Sequence, residues 1–99
     1  MVEIVWSEPA LADLDAIADF IALDNPAAAA EVVRSVFADV EQLRDHPDSG
    51  PRPPELKGWR YRQIVEPPCR VFYRFERNIV HIVHVMRAER KLRRTKLRR

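Results

Sequence analysis

The chain has 99 residues, is 46% hydrophobic, contains one cysteine, Cys69, and carries a formal net charge of +2. These values predict a single globular domain and exclude an internal disulfide framework. We expect a cytoplasmic protein, because no apolar run approaches about 18 residues and the N-terminus lacks a cationic segment followed by an apolar core.

The two halves of the sequence carry opposite charge. Residues 1–50 contain eleven acidic residues against two arginines, a net charge of −9, whereas residues 51–99 contain fifteen lysines and arginines against four acidic residues, a net charge of +11. This separation of charge favours the binding of a polyanion or an acidic partner at the C-terminal half. It can also steer association electrostatically, although it does not define a fold.

The N-terminal residues predict a short strand followed by a helix. Val2, Ile4 and Trp6 recur with the two-residue period of a half-buried strand. Ser7 then supplies a side-chain oxygen that can accept from free backbone amides, which is typical of a helix N-cap. Acidic residues such as Asp13 lie off the apolar stripe of this helix, on a face that we expect to be solvated. The stripe consists of Leu11, Leu14, Ile17, Ala18 and Ile21.

A second helix is predicted to begin almost at once. Asn25 is a strong N-cap, and Pro26 at the first helical position loses no intrahelical hydrogen bond. The helix should end near His46, before Pro47. Because the connecting loop is short, the two helices should form an antiparallel hairpin that covers one face of a sheet. The apolar stripe of the second helix consists of Ala29, Val32, Val33, Val36, Phe37, Val40 and Leu43.

Two segments lie outside the regular elements. Residues 47–58 contain four of the eight prolines and both glycines, which predicts a loop with stiff segments and an apolar anchor at Leu56. Residues 87–99 carry eight basic residues and one acidic residue, and Leu92 and Leu97 alone do not define a buried face. A short helix and a mobile arm are both compatible with this tail.

The stretch between the loop and the tail predicts three strands. Each run is rich in β-branched or aromatic residues, and separations of about two residues favour antiparallel hairpins over crossovers. The runs are 59–66, 69–76 and 79–86. The predicted fold is therefore α+β, with the order β-α-α-β-β-β and the helices packed on one face of the sheet. We expect one domain, residues 1–99, with a basic tail from about residue 91.

Signatures of metal and cofactor chemistry are absent from the sequence. Two separated glycines cannot build a phosphate loop or a dinucleotide turn. His81 and His84 are three residues apart on a predicted strand, so alternation places them on opposite faces and favours ordinary strand histidines over metal ligands. Cys69 lacks an oxyanion loop or an orienting motif, which favours a small packed thiol over a nucleophile. We expect no metal and no cofactor.

Arginines are the candidate binding residues. Arg60 and Arg62 share one face of the second predicted strand, and Arg70 and Arg74 share one face of the third, so adjacent strands can present a guanidinium patch. The alternative is that arginines on the exposed face of a half-covered antiparallel sheet are simply solvated. Arg70 differs from the others because it follows a proline turn and precedes an apolar run, which should fix its backbone.

Arg87 and Arg90 follow the last strand, where three-residue spacing places them on one side of a helical turn. At these residues the sequence resembles the RelE/ParE superfamily of type II toxins. The matching segments are Pro68-Cys-Arg-Val-Phe-Tyr-Arg74 and Val85-Met-Arg-Ala-Glu-Arg90, and the order of elements is similar from residue 2 to about residue 92. The resemblance implies a bacterial growth inhibitor that a cognate antitoxin binds and silences, with a disordered segment that folds on the toxin.

The superfamily contains two activities. RelE-like members cleave messenger RNA in the ribosomal A site, which requires a base, cations around the phosphate and an acid. By resemblance, Arg70 matches the strand arginine of the family, and Arg87 or Arg90 matches the arginine after the last strand. Glu66 is a candidate substitute as the base, and the alternative is that this glutamate near a turn is simply solvated. The RelE-like pattern commonly adds a tyrosine or histidine beyond that strand, and neither residue type follows Arg87 here.

ParE-like members poison DNA gyrase instead. Many of them carry a histidine where Arg87 stands here, but predicted helices of roughly four to five turns are more similar to the ParE side. We therefore predict a ParE-like gyrase inhibitor. The alternatives are a ribosome-dependent messenger RNA endonuclease and a non-toxic protein that binds nucleic acid through its basic tail. The predicted target-binding or nucleic-acid-binding residues are Arg60, Arg62, Arg70, Arg74, Arg87 and Arg90.

Overall fold

The structure, a computed structural model, describes residues 2–93 and 96–97. Within these residues, no helix is long and apolar enough to cross a membrane. The order of elements confirms the predicted β-α-α-β-β-β fold, with two short 3-10 helices, Gln42–Arg44 and Pro54–Leu56, before the second strand. The helices and strands are β1 (Glu3–Trp6), α1 (Glu8–Ala22), α2 (Pro26–Glu41), β2 (Arg62–Glu66), β3 (Cys69–Glu76) and β4 (Ile79–Arg87).

The strands form one sheet in the order β1-β4-β3-β2. As predicted, β2, β3 and β4 pair antiparallel in a meander. β1 pairs parallel with β4, with Glu3 opposite Ile79 and Trp6 opposite Ile82. The N-terminal strand therefore lies beside the last strand, and the helical hairpin together with the first two meander strands forms the long connection that a parallel pair requires.

β2 begins at Arg62, although the sequence predicts a strand from residue 59. The Trp59 N–H donates to the Leu56 carbonyl at 2.9 Å. The turn that follows the second 3-10 helix therefore extends to residue 59, and Arg60 lies outside the strand. The prediction that Arg60 and Arg62 share a strand face is wrong for this reason.

Both predicted helix N-caps are confirmed. The Ser7 side chain accepts from the Ala10 N–H at 3.1 Å, and the Asn25 side chain accepts from the Ala28 N–H at 3.0 Å. Each bond satisfies a backbone donor that has no partner within its own helix. The two caps fix the start of α1 directly after β1 and the start of α2 directly after the hairpin turn.

The helical hairpin packs on one face of the sheet, which we call the inner face. Leu11 and Phe37 belong to the predicted stripes but remain 39% and 41% exposed. On α1, Ala10 and Leu14 are the buried residues. Phe37 instead packs against Trp6, with 4.8 Å between ring centroids. The core on the inner face consists of Ala10, Leu14, Val36, Val40, Leu43, Cys69, Val71, Tyr73, Val80, Ile82 and Val85.

A second, smaller core lies on the opposite face of the sheet, which we call the outer face. Its buried members are Leu56, Tyr61, Phe72 and Leu92. The proline-rich loop and the first residues of the tail therefore cover part of this face. Leu92 is buried, so the tail begins as a packed segment; residues 94, 95, 98 and 99 lie outside the described residues.

An irregularity in β4 changes which of its side chains point inward. Phe72 pairs with His84 and Tyr73 pairs with Ile82, so Val83 is an extra residue on β4. Alternation shifts by one residue at such a bulge. His81 and His84 consequently lie opposite Arg74 and Phe72, two outer-face residues of β3. The prediction that the two histidines lie on opposite faces is therefore wrong.

Candidate functional site

Arg70 is buried on the outer face, and its guanidinium is surrounded by acceptors. Nη1 and Nη2 donate to the two Glu55 carboxylate oxygens at 2.8 and 2.9 Å. Nε and Nη2 donate to Gln63 Oε1 at 3.0 and 2.8 Å, and Nη1 also donates to the Arg90 carbonyl at 3.0 Å. The hydrogen bonds from Arg70 hold the pKa of Glu55 at about 2, below its ordinary value of 4.5. Arg70 thus joins the loop, β2 and the start of the tail.

Arg60, Arg62 and Arg74 also have partners, but they do not form one patch. Arg62 donates to the Gly50 carbonyl at 2.9 Å, on the side of the proline-rich loop. Arg60 and Arg74 both approach Glu76, with nitrogen-to-oxygen distances of 3.2 and 2.5 Å. The structure therefore brings Arg60 and Arg74 together around one carboxylate and separates them from Arg62.

Glu66, Cys69 and Arg87 form a row across β2, β3 and β4. Cys69 pairs with Glu66 on one side and with Arg87 on the other. Burial raises the pKa of the Cys69 thiol, and its complete burial confirms a packed thiol. A hydrogen bond with Asp39 raises the pKa of Glu66. Arg87 Nε lies 2.6 Å from Glu89 Oε1, an exposed pair of the kind that contributes little stability.

A groove of about 340 Å³ runs between α1 and the end of β4. The Arg87 guanidinium carbon lies 5.4 Å from the centre of the Phe20 ring, a cation–π contact at the edge of this groove. Phe20 is 60% exposed, which is unusual for a large apolar side chain next to a concave surface. The groove thus brings Arg87 and Arg90 together. Its lining residues are Asp13, Ala16, Ile17, Phe20, Val85, Met86, Arg87 and Arg90.

An aspartate–histidine pair connects α1 to β4, and sequence reasoning missed it. Asp13 Oδ2 lies 2.8 Å from His84 Nδ1 and accepts from the Val85 N–H at 3.2 Å. The sequence places Asp13 on a solvated helix face, and no motif links it to a histidine 71 residues away. In the described part of the chain, no cluster of three His, Cys, Asp or Glu side chains could hold a metal ion.

Comparisons with known proteins agree with this architecture. The family described as ParE toxin of type II toxin-antitoxin system, parDE, matches residues 4–92. A Sinorhizobium fredii protein named as toxin Y4kP is 39% identical over 84% of both chains, and Toxin RelE2 of Caulobacter vibrioides is 33% identical over 91% of this chain and 99% of its own. A chain from the chromosomal ParDE toxin-antitoxin system of P. aeruginosa superposes with a TM-score of 0.75, at 26% identity over 90% of this chain and 98% of its own.

A strand, a helical hairpin and a three-stranded meander that ends in arginines define a protein of the RelE/ParE superfamily. Within that superfamily, the chain belongs to the ParE toxin family of type II toxin-antitoxin systems. It is accordingly a toxin whose partner is a cognate antitoxin.

Proposed function

We propose that the protein is a ParE-like growth inhibitor that acts on DNA gyrase in the cytoplasm. The observation that carries this proposal is the separation of Arg70 from Glu66 and Arg87, three of the four candidate residues for a RelE-like nuclease. The fourth candidate, Arg90, accepts from Arg70 through its carbonyl. Arg70 points to the outer face, whereas Glu66 and Arg87 are the cross-strand partners of Cys69, whose side chain packs in the inner core. Because adjacent strand residues point to opposite faces, Arg70 and the other two lie on different sides of the sheet.

The chemistry of these groups also argues against message cleavage. Attack by a 2′-hydroxyl requires a base and free cations around one phosphate. Arg70 is buried and bonded to Glu55 and Gln63, so its donors are occupied. An inhibitor that acts by binding does not require these groups to converge.

The names of the relatives include both branches of the superfamily. One sequence relative is named Toxin RelE2, while the structural relative belongs to a ParDE system. The family match is to ParE. The target must therefore be tested directly, with one assay for each branch.

Two assays separate gyrase inhibition from message cleavage. Purified toxin is added to gyrase with relaxed plasmid, and we expect less supercoiled product or more trapped cleavage complexes. In parallel, the toxin is induced in cells, and primer extension maps breaks in translated messages. Codon-phased breaks together with unaffected gyrase at excess toxin would overturn the proposal.

A matched pair of variants tests whether Arg87 belongs to the surface that inhibits gyrase. Arg87→Ala removes a cation that lies at the end of the last strand. Arg34→Ala removes the same charge from an exposed ion pair with Glu31 on α2. We expect Arg87→Ala to weaken gyrase inhibition and Arg34→Ala to retain it. Equal activity of both variants would exclude Arg87 from the target surface.

We also propose that the cognate antitoxin covers the groove between α1 and β4. The groove combines an exposed aromatic ring, Phe20, with two cations, Arg87 and Arg90. An amphipathic helix with acidic residues on its rim would match this combination, because its apolar face can fill a hydrophobic groove while its charges meet the arginines.

A further inference from the structure

A second cavity, of about 360 Å³, lies where β4 ends and the chain enters its basic tail. We call it the tail cavity. Met86 and Leu92, which belong to the outer-face core or pack against it, form its apolar wall. The basic residues that line it are Arg90, Lys91, Arg93 and Lys96.

His84 also lines the tail cavity, and its ring is held in place from two directions. Nδ1 lies 2.8 Å from Asp13 Oδ2, and the ring stacks on Phe72 with 5.8 Å between centroids and 25° between planes. Since Asp13 occupies Nδ1, Nε2 is the ring nitrogen left to meet a ligand. Residues 2–93 and 96–97 offer Nε2 no hydrogen-bond partner.

In the part of the chain that the structure describes, no carboxylate lines the tail cavity; Glu89, whose charge acts on Arg90 from outside it, pairs with Arg87. Among the described residues, no ion pair engages any of its four lysines and arginines. Glu55 accepts from the Leu92 N–H at 3.2 Å beside the cavity, but Arg70 already pairs with its carboxylate. Asp13 is bonded to His84 and to the Val85 N–H. The cavity therefore presents cations and a fixed imidazole without an opposing acid on its lining.

We propose that the tail cavity binds a phosphate group, carried either by a free nucleotide or by a nucleic-acid strand. Arginine offers a planar fork of donors that matches phosphate oxygens, and lysine adds a mobile point charge. The His84 ring, held by Asp13 and Phe72, presents Nε2 to the bound group. The Arg70 and Glu55 side chains do not line the cavity, although they bond to the backbone of Arg90 and Leu92, which do. The proposal does not depend on whether gyrase is the target. It gives His84 and the start of the tail a binding role.

The first test observes the imidazole directly. Inorganic phosphate, adenosine monophosphate and a single-stranded oligonucleotide are titrated separately into the purified toxin, and the His84 ring nitrogens are followed by NMR. We expect the chemical shift of Nε2 to change with probe concentration and to reach a plateau when the site is full. Saturation with the monophosphate at concentrations similar to the oligonucleotide identifies a nucleotide ligand, whereas a response to the oligonucleotide alone identifies a nucleic-acid backbone. A His84 signal unmoved by all three probes overturns the proposal.

The second test separates a defined site from general attraction to positive charge. The double variant Arg90→Gln/Lys91→Gln removes two cations from the cavity, and Arg34→Gln/Arg77→Gln removes two exposed cations elsewhere. For the probe that binds most tightly, we expect the cavity variant to bind about tenfold more weakly than the wild type. For an oligonucleotide, the slope of log affinity against log salt concentration should fall by the equivalent of about two phosphate contacts. The control should keep the wild-type values. Equal losses in both variants would mean non-specific binding and would contradict the proposal.

Discussion

Arg70 and Glu55 form a two-pronged ion pair between β3 and the short helix in the proline-rich loop, with nitrogen-to-oxygen distances of 2.8 and 2.9 Å. The side chains are only 9% and 19% exposed. A pair in this position is more sensitive to the loss of one partner than an exposed pair, because the remaining charge stays buried without compensation. The pair therefore supports the outer face of the fold.

Removal of Glu55 should destabilise the protein more than removal of an exposed glutamate. Glu55→Ala leaves the Arg70 guanidinium without its carboxylate, and we expect the free energy of unfolding to fall by about 3 kcal/mol. Urea denaturation measures the change. Glu31→Ala is the matched control, since Glu31 pairs with Arg34 on the solvated side of α2. The control should change stability by about 0.5 kcal/mol or less. Similar losses in the two variants would contradict this account of the pair.

The same pair predicts a specific dependence of stability on acid pH. The folded-state pKa of Glu55 is about 2, below the ordinary value of 4.5, because Arg70 favours the charged carboxylate. A lowered pKa adds stability that is complete above the unfolded value and is lost as pH falls towards the folded value. We expect the ionised Glu55 to contribute about 3 kcal/mol to the free energy of unfolding at neutral pH. This contribution should be lost between about pH 5 and pH 2.

A comparison with Glu55→Gln isolates this contribution from other carboxylates that titrate in the same range. Urea denaturation of both proteins from pH 7 to pH 2 should show a gap in unfolding free energy that narrows as the pH falls. The glutamine variant retains much of the shape of the side chain but cannot ionise. A gap that stays constant over this range would show that the charge of Glu55 does not stabilise the fold.

Local sequence signals predicted the elements, whereas the contacts of the site depend on packing between distant segments. Ser7 and Asn25 were predictable as caps because a cap acts within three residues of its own position. Arg70 was correctly singled out as fixed by packing. Its partner Glu55 lies 15 residues earlier in a loop. No periodic sequence pattern predicts which residue of a proline-rich loop contacts the sheet.

The Asp13–His84 pair shows why a strand pattern alone can mislead. The extra residue Val83 shifts the alternation of β4 and places His84 opposite Phe72. A bulge of this kind leaves no clear mark in a run of β-branched residues and histidines. The acidic stripe of α1 gives no sign that Asp13 turns towards the sheet. Asp13 reaches β4 because α1 packs beside that strand, 71 residues further along the chain.

Gly50 should be intolerant of a side chain because of its contact with Tyr73. A Cβ at Gly50 would lie 2.5 Å from the Gln63 carbonyl oxygen and 2.6 Å from the Tyr73 hydroxyl oxygen. That hydroxyl donates to the Pro47 carbonyl and accepts from the Gly50 N–H, both at 2.9 Å. We expect Gly50→Ala to lower the free energy of unfolding by about 2 to 3 kcal/mol, because a backbone atom must move and buried hydrogen bonds are disturbed.

Gly58→Ala provides the control for Gly50→Ala in the same denaturation experiment. Gly58 has a positive φ of 84°, but a Cβ there would meet nothing within 4 Å. Its substitution should therefore cost only the backbone strain, about 1 kcal/mol. The contact explanation requires Gly50→Ala to be the more damaging change. If Gly58→Ala destabilises the protein as much or more, backbone conformation rather than crowding at Tyr73 determines the outcome.

The proposed antitoxin surface can be tested with two exposed apolar residues of the same region. Phe20 lines the groove and lies under Arg87, whereas Leu23 is 81% exposed at the end of α1 and does not line it. Phe20→Ala should weaken antitoxin binding by about tenfold or more, as is typical when a central aromatic anchor is removed. Leu23→Ala should leave binding unchanged. Both variants should keep their stability within about 0.5 kcal/mol, because neither side chain belongs to the core.

Calorimetric titration of each toxin variant with the cognate antitoxin measures the binding, and growth after co-expression gives an independent measure. Toxin with Phe20→Ala should require more antitoxin for rescue, provided that it still arrests growth when induced alone. Equal weakening by Phe20→Ala and Leu23→Ala would place the antitoxin over the whole end of the hairpin. Wild-type affinity in Phe20→Ala would exclude the groove as the docking site, because no other aromatic side chain lines it in the described part of the chain.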